Sequence, residues 1–295
     1  MAMSTVDTPQ VVQSSLDQAF AQQLQRYRLI NEVMGLPELS IQQRIPGQIV
    51  RWNAEPSVEA VNESTNALPD SAAASDMVFE QGVVGYQKYS ARTIMSNEII
   101  EDWLAQQVQM SDSNKSVVNK PATGIDRGVE GPSMFDTIMQ SHARGLVKSV
   151  NEFIVSQLDA ATGIADNAAA PSYPNLLSAA MSVQNQDSDA RMVCSAAAKG
   201  AMASAQATAG AVSFFDGFPV ESCLGFPSAA TTGDVFAFAG DLESCARASV
   251  EIRHTITDQA NNTALALNDS SELVSFARVW IAVADETRVI KASYA

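Results

Sequence analysis

The histidines and cysteines are the residues whose chemistry would most directly indicate a metal centre or an active site. The chain has two histidines, His142 and His254, and three cysteines, Cys194, Cys223 and Cys245. Neither histidine has a Cys or Glu neighbour at the spacing of zinc ligands, and the cysteines include no C-x-x-C pair. We therefore expect no metal and no cofactor, and we expect the cysteines to be reduced residues of the core.

Motifs for nucleophilic and phosphate chemistry are missing from the sequence. There is no G-x-S-x-G motif, and the small-residue stretch "GAMASAQATAG" lacks the Lys-Ser/Thr that ends a phosphate-binding loop. Carboxylates are plentiful, with 33 Asp and Glu residues, so a pair suited to glycoside hydrolysis stays open. We predict that the protein is not an enzyme. If it is one, the alternative is a cytosolic α/β hydrolase that uses paired carboxylates.

Composition and charge exclude further classes of protein. The chain has 295 residues, of which 46% are hydrophobic and 17% charged, as in folded globular proteins. Its net charge of −15 argues against a dedicated nucleic-acid binder, which needs surplus Lys and Arg to neutralise phosphates. We see no apolar signal region and no run approaching the ~20 apolar residues of a membrane span, so we expect a protein that folds in a cytoplasm.

The first half of the chain predicts an arm, an extended hairpin and a long helix. Apolar residues at helical spacing between residues 10 and 34 indicate an amphipathic arm that ends at Gly35. Two short β-like pieces around a polar middle predict an extended hairpin or loop between residues 44 and 80. Ser133 and the apolar spacing that follows predict a helix from Met134 to Ala161, which would be roughly 40 Å long.

The stretch "GYQKYSARTIMSNEIIEDWL" predicts a strand that runs directly into a helix. Up to Met95 its residues alternate between two faces, and Ser96 or Asn97 can then cap the free N–H groups of a helix start. Glu98 places negative charge at the positive end of that helix. Residues 171–250 read as a compact α/β lobe, and the last 45 residues as long β segments.

Four stretches in this order carry a family resemblance: "YSARTIMSNEIIED", "FFDGFPVESCLGFP", "GDVFAFAGDLESCARASVEI" and "VSFARVWIAVADETRVIKASYA". Together with the long helix, they resemble the major capsid protein of tailed double-stranded DNA bacteriophages, whose fold is named after phage Hong Kong ninety-seven and is shared by encapsulins. The resemblance implies an α+β phage capsid fold. Its expected parts are an N-terminal arm (1–46), an extended β-hairpin called the E-loop (47–90), a peripheral domain (91–170) with a spine helix (134–161), an α/β axial domain (171–250) and a return to the peripheral β-sheet (251–295).

The same resemblance implies function and partners. It predicts a structural protein that self-assembles as hexamers and pentamers into an icosahedral shell around a double-stranded DNA genome, with an encapsulin-like compartment as the alternative within this fold. Implied partners are other copies of the chain, a scaffolding protein, a portal and cement or decoration proteins, with the DNA enclosed only by non-specific proximity and no membrane. The implied location is the virion capsid, assembled in the bacterial host cytoplasm. The chain has nothing of the size of the scaffold-like extension of some relatives, so we expect the scaffold to be encoded separately.

Within a shell, the hairpin supplies the candidate intersubunit contacts. Arg51, Glu55 and Glu59 are candidates for ion pairs between subunits, and Trp52 is a candidate aromatic anchor. The junction residues Ser96, Asn97 and Glu98 would fix the returning strand into the body. Some relatives join subunits through an isopeptide bond from an E-loop Lys, but here no Lys precedes Lys88. We therefore expect the shell to be held by noncovalent contacts or cement proteins.

Overall fold

A computed structural model of the chain describes residues 18, 20–36, 48–53, 79–84, 86–96, 134–168, 190–209, 219–227, 231–257, 268–283 and 285–295. The chain divides into two compact units. The first unit comprises Met1–Arg28, Lys88–Ser149 and Glu251–Arg278. The second unit comprises Leu29–Gln87, Val150–Val250 and Val279–Ala295. The arm, E-loop, peripheral and axial boundaries expected from the sequence stay predictions.

The N-terminal part is helical, but not as one continuous run. Residues 20–26 are helical, and helix α1 (Ile30–Met34) follows after an interruption at which Leu29 is extended. The expectation of a single run up to residue 34 is therefore wrong at residues 27–29. Helix α1 is separate from the helical residues 20–26, because the N–H of its first residue, Ile30, donates a hydrogen bond to the Asn151 side chain and not to a preceding carbonyl. Gly35 ends α1 as predicted, with a left-handed φ of 71° that glycine adopts without strain.

The long helix, α2, spans Met134–Ala160 and confirms the predicted element to within one residue. Its buried positions recur three or four residues apart, as an amphipathic helix requires: Met139, His142, Leu146, Val150, Ile154 and Leu158. The apolar spacing also led us to expect that Gly163 stops the helix, but α2 ends three residues earlier, at Ala160. The Gly163 N–H instead donates to the carboxylate of Glu286. The predicted Ser133 cap lies outside the described residues.

A five-stranded mixed sheet forms the second unit together with helix α3 (Ala196–Ala209). Its strands are β4 (Ala165–Ala168), β5 (Arg191–Cys194), β6 (Val220–Ser222), β7 (Val235–Gly240) and β10 (Val289–Ser293). Their order across the sheet is β4-β10-β7-β5-β6. The pairs β4 with β10 and β5 with β6 are parallel, and the two pairs made by β7 are antiparallel. A short helix α4 (Leu242–Cys245) follows β7, and a 3-10 turn (Glu286–Arg288) precedes β10.

Strand β7 is buried along its whole length because both faces of this central strand are covered. The register of β7 with β10 shifts at Phe236, which therefore belongs to the same cluster as Ala237 and Ala239 and packs with Tyr294 at a ring distance of 4.8 Å. This cluster also contains Met192 and Cys194 of β5 and Ala198 and Met202 of α3. Phe238 packs with Phe226 at 6.0 Å. The continuous apolar run "VFAFAG" therefore reflects a strand with a core on each side.

A three-stranded sheet has the order β3-β9-β8, where β3 is Gln87–Ser96, β9 is Ser270–Val283 and β8 is Ala246–Thr257. The first unit contains most of β3 and parts of β8 and β9. In β3, the predicted alternation is confirmed. Tyr89, Ala91 and Thr93 are half-buried and Met95 is buried, whereas the residues between them are exposed. The long β segments expected at the end of the chain are likewise present as β8, β9 and β10.

A separate two-stranded ribbon joins β1 (Gln48–Asn53) to β2 (Phe79–Val84) in antiparallel register. These are the two β pieces expected at the two ends of the hairpin. Residues 54–78 lie outside the described residues, as does the helix predicted after Ser96. Within the described part of the chain, no helix has the length and hydropathy needed to cross a membrane.

Candidate functional site

The β1–β2 ribbon carries the two candidate contact residues that the structure describes. Arg51 pairs with Gln81 and Trp52 with Glu80 in the register of the ribbon. Because successive strand positions belong to opposite faces, Arg51 and Trp52 are placed on different faces of the ribbon. Glu55 and Glu59 lie outside the described residues. The ribbon pairs with neither of the other two sheets among the described strands, and a two-stranded ribbon alone is marginally stable in water.

The hairpin-to-helix junction is described only on its strand side. Ser96 is the last residue of β3 and is half-buried, which agrees with the strand predicted to end there. Asn97 and Glu98 lie outside the described residues, so their capping role stays a prediction. The structure does not bring these residues together with Arg51 or Trp52 into one described site.

A buried histidine links three elements of the first unit. His142 of α2 lies between two hydroxyl groups: its Nε2 is 2.7 Å from Thr93 Oγ1 on β3, and its Nδ1 is 3.0 Å from Ser275 Oγ on β9. His142 is 5% exposed and Ser275 is completely buried. Burial lowers the pKa of His142 below its usual value because the charged imidazolium would lose its hydration.

This hydroxyl–imidazole–hydroxyl chain has part of the composition of a hydrolytic site but not its geometry. A serine nucleophile needs access to substrate and a base oriented by a third group, usually a carboxylate. Ser275 has no solvent-exposed surface, and both ring nitrogens of His142 are taken up by hydroxyls. The arrangement is suited to fastening β3 and β9 to the long helix.

The opposite face of the three-stranded sheet is rich in cations. Arg92 forms an ion pair with Glu272, and Arg278 approaches Glu251 at 4.0 Å. Lys88 lies 5.3 Å from the ring centre of Phe276, with Arg278 at 5.8 Å from the same ring. Ile94 on this face is 54% exposed, which is unusual for a large apolar side chain.

A groove runs along the N-terminal half of α2. Its volume is about 390 Å³, and Tyr27, whose hydroxyl accepts a 2.9 Å hydrogen bond from Gln140 Nε2, contributes from the N-terminal segment. The remaining lining residues come from α2: Thr137, Gln140, Ser141, Arg144, Gly145 and Lys148. The described part of the lining therefore combines hydroxyl and amide groups with two cations.

Asn151 links three segments of the second unit. Its Oδ1 accepts a hydrogen bond from the N–H of Ile30, and its Nδ2 donates to the carbonyl of Leu224, both at 2.8 Å. The side chain is completely buried. Gly225, with a φ of 117°, packs directly against Asn151, where any larger residue would collide with the helix backbone.

Comparisons with known proteins bear on the fold. No family model matches the sequence, and no curated protein matches it either. Solved structures do match. A virus-like particle from Pyrococcus furiosus matches with a TM-score of 0.56 and 11% identity, over 95% of this chain and 98% of that chain.

Two phage structures match in the same way. The structure from Gordonia phage Cozz has a TM-score of 0.53 at 14% identity, over 91% of this chain and 87% of that chain. The structure from Mycobacterium phage Cain has a TM-score of 0.50 at 14% identity, over 85% and 86%. The chain has the Hong Kong ninety-seven type capsid fold.

In this capsid-type fold, none of the three cysteines is exposed. Cys194 and Cys245 are buried, Cys223 is half-buried, and all three are free thiols. Burial raises the pKa of Cys194 to about 11, and the pKa values of Cys223 and Cys245 to about 12. Among the residues that the structure describes, no three His, Cys, Asp or Glu side chains come together to hold a metal ion.

Two carboxylates, Asp285 and Asp241, stabilise the turn before β10. Asp285 accepts hydrogen bonds from Thr287 N at 3.1 Å and Thr287 Oγ1 at 2.6 Å, and Arg288 Nε lies 3.3 Å from its other oxygen. Burial alone would raise the pKa of Asp285, but the hydrogen bonds from Thr287 and Arg288 outweigh it and lower that pKa. Arg288 also approaches Asp241 at 3.9 Å, so the two carboxylates share a cation as ion-pair partners.

Reasoning from the sequence missed Thr93, Ser275 and Asn151, because their partners are far away along the chain. It also missed the groove on α2. One signal was present in the sequence: Gly145 stands inside a long helical run, where glycine lowers helix stability.

Proposed function

We propose that the chain is the major capsid protein of a tailed bacteriophage, which self-assembles as hexamers and pentamers into the icosahedral shell around a double-stranded DNA genome. The observation that carries the proposal is the match to the Pyrococcus virus-like particle, which extends over nearly the whole of both chains. A fold by itself does not determine function. The proposal therefore also rests on features that a subunit of a shell needs and a monomer does not.

The β1–β2 ribbon is the first such feature. It pairs with no other described strand, so its order requires a surface elsewhere, and a neighbouring subunit can supply that surface at every position of a ring. We propose that residues 47–90 act as the E-loop between an N-terminal arm (1–46) and a peripheral domain (91–170, 251–295), with residues 171–250 as the axial domain. Arg51, Trp52, Glu55 and Glu59 would contact the neighbour.

The hairpin root is the second feature. In the proposal, the hairpin reaches over a neighbouring subunit, so the strand that leads back from it, β3, must be firmly attached to its own subunit. Thr93 and Met95 of β3 are held there by the His142 hydrogen bond and by burial, respectively. In the proposal, the capped helix start at Ser96, Asn97 and Glu98 continues this attachment. Scaffolding, portal and cement proteins complete the proposed partners, and the virion capsid, assembled in the host cytoplasm, is the proposed location.

Electron microscopy of the purified, overexpressed chain tests the proposal. We expect closed shells, or hexameric and pentameric rings where a scaffolding protein is needed to close them. A matched pair of variants sharpens the experiment: Trp52→Ala should reduce the yield of these assemblies, whereas Trp52→Phe, which retains an aromatic ring, should largely preserve it. A small oligomer without ring or shell symmetry in the unsubstituted protein would contradict the proposal.

The similarity to a virus-like particle also supports a second candidate, a protein compartment of the encapsulin type. The contents of native particles separate the two candidates. Nuclease-protected double-stranded DNA is expected for the capsid, and a packaged protein is expected for the compartment. The hydrolase alternative gains no support from Asp241 and Asp285, because both carboxylates are ion-pair partners of Arg288.

A further inference from the structure

The three-stranded sheet β3-β9-β8 has two faces of different character. On one face, Thr93 and Ser275 bond His142, so the long helix α2 packs there. On the other face, the side chains of Arg92 on β3 and Arg253 on β8 are 60% and 67% exposed. We call this second face the cationic sheet face, and the residues that form it belong to the first unit.

Side-chain contacts extend over all three strands of the cationic sheet face. Lys88 on β3 lies over the Phe276 ring of β9, and Arg278 lies beside the same ring. Arg278 also approaches Glu251 of β8. The ion pairs and ring contacts join four cations and two carboxylates: Lys88, Arg92, Arg253, Arg278, Glu251 and Glu272. This excess of two positive charges lies on a chain whose net charge is −15.

Apolar side chains lie among these charges. Ile94 is 54% exposed, and Val274 and Phe276 on the neighbouring strand are half-exposed. Apolar surface in water is unfavourable, and its coverage by a partner would stabilise the complex. Aromatic residues and arginine are also enriched where proteins contact each other. The cationic sheet face therefore has the composition of a protein-binding surface.

The charge of the face indicates which kind of protein fits it. We propose that the cationic sheet face binds an acidic, partly apolar segment of a second, different protein. Carboxylates of that segment would pair with Lys88 and the arginines, and its apolar side chains would cover Ile94 and Phe276. Binding of such a segment does not depend on the shell function, whereas its assignment to a scaffolding or cement protein rests on the proposed function.

Two other occupants match the face less well. Duplex DNA presents continuous rows of phosphates, which Glu251 and Glu272 within the face would repel, and its phosphates would gain nothing from Ile94. A second copy that used the same face would place cations opposite cations. Permanent contacts between subunits are also more hydrophobic than a face with six charged residues, so a partner that binds reversibly is the better match.

A synthetic peptide tests the charged and the apolar parts of the face. The probe is a fluorescein-labelled amphipathic peptide in which a stripe of Leu is flanked by Glu, titrated with the purified full-length chain and followed by fluorescence anisotropy. We expect salt-sensitive binding, and Lys88→Gln and Ile94→Ser should each weaken it about three- to fivefold. Arg144→Gln is the matched control, because it removes one positive charge from an exposed position of α2, on the other side of the sheet. It should leave the affinity unchanged.

Several results in this assay would overturn the inference. They are an absence of measurable binding, equal affinity of the parent chain and either face variant, and equal affinity for a peptide in which glutamine replaces every Glu. Duplex DNA that binds in a Lys88-dependent way, when the peptide does not, would assign the face to phosphates. A peptide of residues 54–78 that binds there more tightly than the probe would assign it to another copy of the chain.

Electron microscopy of the same proteins reports on the shell separately. Shells formed by a chain that does not bind the probe would refute the inference and leave the proposed function standing. Binding that depends on Lys88 and Ile94, in a chain that forms neither shells nor rings, would support the inference and contradict the proposed function.

Discussion

Asn151 is a small polar residue on which three segments of the second unit depend, and its replacement tests that dependence. The side chain is fully buried and bonds the N–H of Ile30 and the carbonyl of Leu224. Ile30 is the first residue of α1, whose N–H has no partner within its own helix. Leu224 precedes Gly225, which packs on the Asn151 backbone. Asn151→Ala therefore leaves the Ile30 N–H and the Leu224 carbonyl without this partner. The space between Gly225 and the helix is too small for any residue other than glycine at position 225.

The expected loss follows from these two groups. A buried donor or acceptor that loses its hydrogen bond costs about 1–3 kcal/mol. For the Ile30 N–H and the Leu224 carbonyl together, Asn151→Ala should lower the free energy of unfolding by about 2–6 kcal/mol. Asn151→Asp, which has nearly the same shape, should be at least as destabilising at neutral pH, because a buried carboxylate oxygen would then face the Leu224 carbonyl. Protonation at low pH restores a donor, so this variant should recover part of the loss.

Urea unfolding measures the effect. Tryptophan fluorescence reports on all three Trp residues, of which Trp280 is 1% exposed and belongs to the second unit, and far-UV circular dichroism follows the backbone. Ser156→Ala is the control on the same helix, since Ser156 is exposed and, among the described residues, its hydroxyl bonds the local carbonyl of Phe153 at 2.8 Å. This variant should change stability by no more than about 0.5 kcal/mol. If Asn151→Ala loses less than about 1 kcal/mol, or no more than the control, the two long-range hydrogen bonds do not hold these segments.

Three further substitutions or conditions have defined outcomes. Because burial lowers the pKa of His142 in the folded state, the unfolded chain takes up a proton at this residue first on acidification. The contribution of neutral His142 to stability should therefore be complete above about pH 6.5 and fall below it by at most about 1.4 kcal/mol per pH unit. Urea titrations of His142→Gln should lack this part of the pH dependence. Gly240→Ala should cost about 1–3 kcal/mol in thermal unfolding, since φ is 147° and a Cβ would collide with the backbone before β10; an unchanged melting temperature would contradict this. With pKa values of about 11 for Cys194 and about 12 for Cys223 and Cys245, thiol reagents at pH 8 should label the native protein slowly and all three sites after unfolding; rapid native labelling would show that these thiols are accessible.

Local patterns predicted much of the fold, for reasons visible in particular residues. In β3, Tyr89, Thr93 and Met95 alternate with charged and polar residues, and a period of two determines which face is buried without knowledge of any partner. In α2, spacing of three and four places Leu146, Val150 and the others on one side. The Gly35 stop was equally predictable, because a left-handed helix end has a strong preference for glycine.

Strand β9 shows where local patterns fail. Its large apolar residues Val274 and Phe276 lie on the half-exposed face, whereas Ser275 between them is completely buried. Hydrophobicity alone would reverse this assignment. The reason is two contacts from residues far along the chain: Lys88 lies over the Phe276 ring, and His142 provides the buried hydroxyl of Ser275 with a partner. Neither contact leaves a mark in the sequence around residue 275.

The candidate contacts between subunits raise the same difficulty at a larger scale. A core residue can be recognised in one chain because its partners belong to that chain, whereas under the proposed function Arg51 and Trp52 would contact a neighbouring copy. What a single chain does record is an unexplained cost, such as a ribbon that pairs with no third strand among the described residues. Such a ribbon is marginal for an isolated subunit, and in the proposed shell a neighbouring copy would cover it. The positions of such costs, more than hydrophobic pattern, therefore indicate where the surfaces of a shell protein meet.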